Sequence, residues 1–559
     1  RQACRQLAGE GVEAVAVCFL HSYANPDHER RAAAIASELL PHAAVSTSHA
    51  VAPQMREYER ASTTVANAYV KQLAGRYLGN LQEGMRSLGV PAPLHVTLSN
   101  GGTATAATAA EFPVRLVESG PCGGALAAAE TARRCGFEDL LAFDMGGTTA
   151  KAFLSAGGEF PITTESEVAR VYRFKRGSGL PLLVPVLDMI EVGAGGGSIA
   201  RIDPLGLPVV GPESAGSSPG PACYGLGGEL PTVTDADLLL GFLDPGFFLG
   251  GEMALDTEAA ARAVSGFARG LNDKPDGLGG ASGAENTAAA WGIHRLVNEN
   301  MANAARVHAA ERGLDVASFA MVATGGAGPV HACKVAELLG IETVIVPGAA
   351  GVSSAIGLLL APLSFDFSQS LVARLADLDL GRVDELLAGL ESRGRGIVAA
   401  GGVSGDRVEV VRTADMRYVG QGHEIRVPLP GGSLEERSHP ALQEAFDNAY
   451  SRSYGRICEG VPVEAIHWRV TVSGPRPKLQ LGSPGSRGTP LKGEREAFFD
   501  GRPQPVPVFD RYALPAGFAE TGPLIVEEVE STTVVPPGWS LSSTERGDLL
   551  VRRSGSRSA

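Results

Sequence analysis

The run Asp144-Met145-Gly146-Gly147-Thr148-Thr149 joins two short apolar stretches, 140–143 and 150–154, that read as the strands of a hairpin. Two glycines at its tip let backbone N–H groups approach phosphate oxygens with no Cβ in the way. The hydroxyls of Thr148 and Thr149 can donate to the same oxygens. Asp144, closing the first strand, can hold a hydrated Mg²⁺ or orient a water. Phosphoryl transfer needs those parts, because its catalysis is mostly positioning and charge stabilisation. A plain β-turn capped by Asp144 accounts for the same residues without a ligand.

Two further glycine loops extend the pattern. Thr324-Gly325-Gly326-Ala327-Gly328-Pro329 follows an apolar strand (319–323) and opens a helix (329–339) with proline in its first turn. A helix start behind glycines suits an anion or a nucleotide. No second strand with a ribose-binding acid follows, so the dinucleotide fingerprint is excluded. Glu191-Val192-Gly193-Ala194-Gly195-Gly196-Gly197-Ser198 follows the apolar run 184–190. A Rossmann reading fails there, because 199–203 looks extended and Pro204 blocks a helix. For each loop a purely structural turn remains the competing explanation.

Other matches carry no chemistry. Gly216 to Gly220 fits G-x-S-x-G, but Pro219 and Pro221 forbid the helix of a nucleophile elbow. No Gly-Lys dipeptide occurs, which excludes a P-loop. His21 and His28 share no face and read as surface residues, and Cys223 reads as a buried thiol.

These loops need a scaffold of alternating strands and helices. Residues 1–50 read as half of an α/β unit and 57–88 as a long amphipathic helix with a break. Residues 121–136 form an alanine-rich helix and 286–312 another long one. After 365 come short strands and two helices (383–399 and 441–452), then a Pro/Gly-rich β-like tail. The spacing divides the chain at 50, 365 and 490: an N-terminal remnant (1–50), a core (51–365), an α+β domain (366–490) and a β-rich segment (491–559) whose last eight residues read as disordered. The polar run 272–285 reads as a surface excursion.

Composition narrows the class. The 559 residues carry a net charge of −14 and no basic block, which argues against nucleic acid and anionic membranes as partners. Seven scattered cysteines without a CxxC pair fit a reducing, cytoplasmic setting. The uncharged stretch 343–365 is long enough to span a bilayer, but Pro347, Pro362 and its glycines favour a buried strand, a glycine turn and a buried helix.

Two phosphate-type loops on separate α/β units, without a P-loop, point to an α/β, actin/hexokinase-like (ribonuclease H-like) ATPase core whose lobes close over a nucleotide. Here the sequence resembles the hydantoinase A/oxoprolinase family. The resemblance rests on Arg56 to Tyr69, Phe143 to Lys151, Ile190 to Ile199, Ser214 to Tyr224 with Pro231 to Asp237, and Gly522 to Trp539. It covers nearly the whole chain. It implies use of ATP with Mg²⁺ to activate a cyclic amide or imide of hydantoin or 5-oxoproline type for hydrolysis. The alternative is ATP handling for an acetone/acetophenone-type carboxylase. Either implies a hydantoinase B-like partner in a hetero-oligomer.

Carried over by residue, Asp144 would be catalytic and bind the metal, and Gly146, Gly147, Thr148 and Thr149 would form a phosphate loop. Gly195, Gly196 and Gly197 would shape the cleft, and Gly325, Gly326 and Gly328 would line the adenosine side. Glu191 and Asp188 are acid/base or metal candidates, with a structural strand-end role as the competing reading; Asp235 and Asp237 are further polar contributors. Relatives have a second Asp-x-Gly-Gly-Thr-type loop upstream of the region matching Arg1, so the expectation is an N-terminally truncated chain that could be inactive alone. Lys151 also stands where many relatives carry an acid, and reads either as a phosphate contact or as a solvated strand lysine.

Overall fold

The computed structural model describes residues 1–169, 171, 177–272, 282–403, 405–434, 438–479 and 488–555. The expected surface excursion at 272–285 lies largely outside these residues, as do the last four of the eight tail residues. The chain forms two compact units, each assembled from separated stretches. One comprises Arg1–Cys122, Ile162–Val186 and Ala361–Lys478; the other comprises Gly123–Pro161, Leu187–Leu360 and Leu479–Ala559.

The second unit is built on an eight-stranded sheet. Its strands in chain order are β1 (Leu140–Met145), β2 (Ala150–Ser155), β3 (Met189–Val192), β4 (Ala320–Thr324), β5 (Thr343–Val346), β6 (Ala519–Thr521), β7 (Trp539–Ser543) and β8 (Leu549–Arg553). They lie side by side in the order β3-β2-β1-β4-β5-β8-β7-β6. Strands β1, β4 and β5 run parallel, while β2 is antiparallel to both β1 and β3. Parallel strands need cover on both faces, and the sequence supplies it: β4 is buried at every residue and β5 at all but its first.

Three helices of this unit matter below: α1 (Val233–Leu239), α2 (Ser282–Ala310) and α3 (Gly328–Leu339). Helix α1 starts on a capping box between Thr232 and Asp235. Helix α3 has proline in its first turn and ends on Gly340 at φ +78°, a left-handed cap. One continuous core joins these helices to the sheet, with Phe143, Met145, Val297 and Val335 at its centre.

The stretch 343–365 is no membrane span. It divides into β5, a short 3₁₀ turn (Ala350–Val352) and a helix (Ser353–Leu360). That helix is less buried than expected, with Leu359 59% exposed. No helix among the described residues is long and apolar enough to cross a membrane.

The C-terminal segment is less separate than its composition implied. Strand β8 pairs with β5, from Thr343↔Arg552 to Val346↔Leu549, so the last strands extend the sheet that carries Asp144. A second sheet of the same unit pairs Leu491–Phe499, Arg502–Asp510, Leu524–Glu528 and Ser531–Val535.

In the first unit, the α+β pattern read after 365 forms a four-stranded antiparallel sheet. Its order is Ser364–Arg374, Val463–Ser473, Glu409–Tyr418, Ile425–Pro428. Helices Leu380–Ala400 and Ser438–Tyr454 contribute to its core around Trp468. The N-terminal residues pair Ala14–Val17 in parallel with Ala44–Thr47. The helix expected to break runs unbroken from Glu57 to Ser87. Its start is anchored by buried Arg60, which donates to Ser48 Oγ (3.1 Å), the Gln54 carbonyl (2.7 Å) and the Phe19 carbonyl (2.9 Å).

Candidate functional site

The turn between β1 and β2 is closed by the Gly146 N–H donating to the Thr149 carbonyl at 3.1 Å. A methyl group added at Gly146 or Gly147 would meet nothing within 4 Å, so both face open space. Gly147 and Thr148 are exposed. The tip therefore has room for a ligand to approach its backbone.

The other two glycine loops are used differently. A Cβ at Gly195 would lie 2.6 Å from the Thr148 nitrogen, and one at Gly325 would lie 2.3 Å from the Met145 carbonyl oxygen. Gly196 and Gly197 N–H groups donate to the carbonyls of Gly146 and Gly147, at 3.0 and 2.6 Å. From the other side, the Ala327 N–H donates to the Met145 carbonyl at 3.1 Å. A Cβ added at Gly328 would lie 3.5 Å from the Met145 nitrogen, while Gly326 is exposed and a Cβ there would lie 3.3 Å from the Glu530 carbonyl oxygen. Two loops distant in sequence thus brace the turn through main-chain contacts. The sequence placed the phosphate-type loops on separate α/β units; β1 and β4 are in fact neighbours in one sheet.

Asp144 is half-buried at the end of β1, facing Thr324 on β4 and Lys151 on β2 in the strand register. Burial pushes its carboxyl up from the ordinary aspartate range, and the Lys151 charge opposes that rise. Lys151 also faces Glu191 on β3, with Nζ 3.0 Å from the Glu191 carboxylate and 3.1 Å from Thr149 Oγ1. One cation therefore stands between two carboxylates on three adjacent strands. Its side chain is 19% exposed, so it is not a solvated strand lysine.

The remaining acids are engaged elsewhere. Asp188 is ion-paired with Arg312. Asp235 is fully buried and accepts from the Cys223 and Thr232 N–H groups at 2.7 and 2.9 Å, which fixes the loop ahead of α1. Asp237 points instead into a buried trio with His294 and His331, two residues that no sequence motif had singled out. Burial alone would raise the Asp237 carboxyl; the flanking imidazoles, His331 foremost, hold it down to about 2. Cys223 is buried as expected, and burial drives its thiol far above the ordinary range, away from reactive thiolate.

The chain is a mixed α/β protein whose central strands carry a braced, open-faced glycine turn and a half-buried carboxylate. It belongs to the hydantoinase/oxoprolinase family. The hydantoinase/oxoprolinase sequence model matches residues 60–367, that of the N-terminal region residues 1–40, and that of the C-terminal domain residues 382–545. Caprolactamase subunit alpha of Pseudomonas jessenii is 36% identical over 95% of this chain and 75% of its own length. The crystal structure of the ATP-dependent caprolactamase from that organism superposes with a TM-score of 0.81 at 34% identity, covering 98% of this chain and 78% of that one. Nucleotide-free acetone carboxylase gives a TM-score of 0.77 at 26% identity over 99% of this chain and 78% of that one. The 5-oxoprolinase of Dictyostelium discoideum is 28% identical over 98% of this chain and 43% of its own length.

Proposed function

We propose that this chain is the ATP-handling subunit of an enzyme that opens a cyclic amide or imide of hydantoin or 5-oxoproline type, working with a hydantoinase B-like subunit. The observation that carries the reading is the open face of Gly146 and Gly147 beside a half-buried carboxylate and a lysine. The ATP-dependent caprolactamase, 34% identical across nearly the whole chain, supports ATP as the co-substrate. The strand pattern supports the actin/hexokinase-like, ribonuclease H-like reading of the core: order β3-β2-β1-β4-β5, with β2 alone antiparallel.

The residues present fit MgATP. In this reading Gly147 and Thr148 receive phosphate oxygens through backbone N–H and hydroxyl groups, and Gly146, with no side chain, leaves the approach open. Asp144 holds the magnesium ion, whose charge a carboxylate under burial strain favours. Lys151 offsets negative charge gathering at the turn and is itself held by Glu191. Gly195, Gly197 and Gly325 do not touch the nucleotide in this account; they keep the turn rigid. ATP supplies a phosphoryl group that makes the amide carbon open to attack by water.

Acetone carboxylase, with a TM-score of 0.77, supports a second reading in which the same ATP chemistry serves a ketone carboxylation. Phosphate release by the chain assembled with its partner separates the two. Stimulation by a hydantoin or lactam without bicarbonate, with ring-opened product formed, supports the amidase. Strict dependence on bicarbonate would sink it.

A further inference from the structure

Helices α1, α2 and α3 bring Asp237, His294 and His331 together behind the glycine loops. Asp237 Oδ1 lies 2.7 Å from His294 Nδ1, and Asp237 Oδ2 lies 3.1 Å from His331 Nε2. The side chains are at most 4% exposed, and their three donor atoms lie within 4.8 Å of one another. The imidazole rings stack at 4.7 Å between centroids, so both edges turn to the same carboxylate.

A second observation points to a ligand. His331 Nδ1 lies 2.9 Å from the Asn298 side-chain oxygen, which only accepts, so the ring proton belongs on Nδ1. Nε2 is buried and faces Asp237 Oδ2 at 3.1 Å, yet its geometry there meets no hydrogen bond. A buried carboxylate between two imidazole edges needs positive charge beside it, which a ring proton or a shared metal ion supplies.

We propose that Asp237, His294 and His331 hold one divalent transition-metal ion of the zinc type. Two imidazoles and a carboxylate are a normal donor set for that ion. A tetrahedral site with bonds of about 2.0 Å sets neighbouring donors about 3.3 Å apart, close to the two Asp237–imidazole spacings of 2.7 and 3.1 Å. Binding releases the proton that His294 Nδ1 shares with Asp237. The Nδ1–H bond from His331 to Asn298 is the outer contact that orients a metal-bound imidazole. The ion would tie together three helices that serve the turn. Thr234 on α1 donates to the Gly196 carbonyl at 2.7 Å, and α3 begins at Gly328. This site is separate from Asp144 and does not depend on the nucleotide reading.

The test uses the full chain in its complex, stripped with a strong chelator and then given zinc. Elemental analysis should find one zinc per chain, and the Tm should rise by about 3 °C or more. His294→Gln and Asp237→Asn should each lose both effects. Wild-type protein that takes up no stoichiometric zinc, or variants that bind it unchanged, would overturn the proposal. The trio would then be a hydrogen-bonded network with the Asn298 amide turned over. Should the variants fail to fold, the wild-type protein loaded with cobalt(II) decides: a tetrahedral nitrogen/oxygen ligand spectrum supports the site, and its absence refutes it.

Discussion

Asp144 is costly to keep ionised where it lies, half out of water at the end of a central strand. Such a group is retained where charge is used, and a substitution that keeps its shape isolates that use. Asp144→Asn should lower ATP turnover at least about 100-fold, while the Tm stays close to wild type. A collapse in Tm instead would mark Asp144 as part of a merely structural turn. Lys151 holds the Asp144 carboxyl down, so Lys151→Met lets it rise. If turnover needs ionised Asp144, the acid limb of the pH–rate profile moves to higher pH in that variant. An unmoved limb would mean that the two side chains are not coupled in the reaction. The turn itself was legible in the sequence as a strand-end acid, two glycines and two threonines between apolar strands. Glu191 was legible only as a carboxylate near a strand end. Its role as the partner of Lys151 depends on β2 and β3 being neighbours, which no local spacing encodes.

At the scale of elements, the glycines sort into two kinds that look alike in sequence. Gly147→Ala should cost little stability, since nothing lies within 4 Å of the added methyl, yet it should weaken nucleotide binding. Gly195→Ala drives a methyl to 2.6 Å from the Thr148 nitrogen and should destabilise by about 1–3 kcal/mol. Thermal melts with calorimetric titration of MgATP compare the two. Equal effects on fold and binding would contradict the division between open and bracing glycines. Another prediction concerns the N-terminal strands and helices. Glu29 is fully buried, and hydrogen bonds from His49, Ser48 and the Phe19 N–H outweigh burial to hold its carboxyl at about 2. A depressed carboxyl gives stability that is present above about pH 4.5 and is lost as pH falls towards 2. Glu29→Gln should therefore cost about 2–3 kcal/mol at pH 7 and much less at pH 2.5. Denaturant titrations at both pH values measure it. The hairpin, the strand before Thr324 and helix α3 were readable because turn chemistry, proline and apolar runs are local signals. The unbroken helix Glu57–Ser87 was not, because Arg60 binds Ser48, Gln54 and Phe19 through the tertiary fold.

Across the whole molecule, sequence order and spatial order part company. Each compact unit draws on three separate stretches, and the last strand, β8, pairs with β5 more than two hundred residues earlier. Composition suggested a detached C-terminal segment because polar turns and short strands read alike wherever they pair. The trio of Asp237, His294 and His331 was hidden for the same reason: each residue sits on a different helix, and only the packing of α1, α2 and α3 brings them together. Of the motifs that carried the family resemblance, Phe143 to Lys151 and Ile190 to Ile199 meet at the turn, a contact that the spacing within each motif does not encode. The central claim is that the turn of Asp144 to Thr149 handles ATP for cyclic-amide opening. Its most direct measurement is phosphate release by the chain assembled with its hydantoinase B-like partner, with a cyclic amide as the only added substrate, for wild type and Asp144→Asn. The account predicts amide-stimulated phosphate release without bicarbonate, matched by ring-opened product, and its loss in the variant. Undiminished release by Asp144→Asn would contradict it.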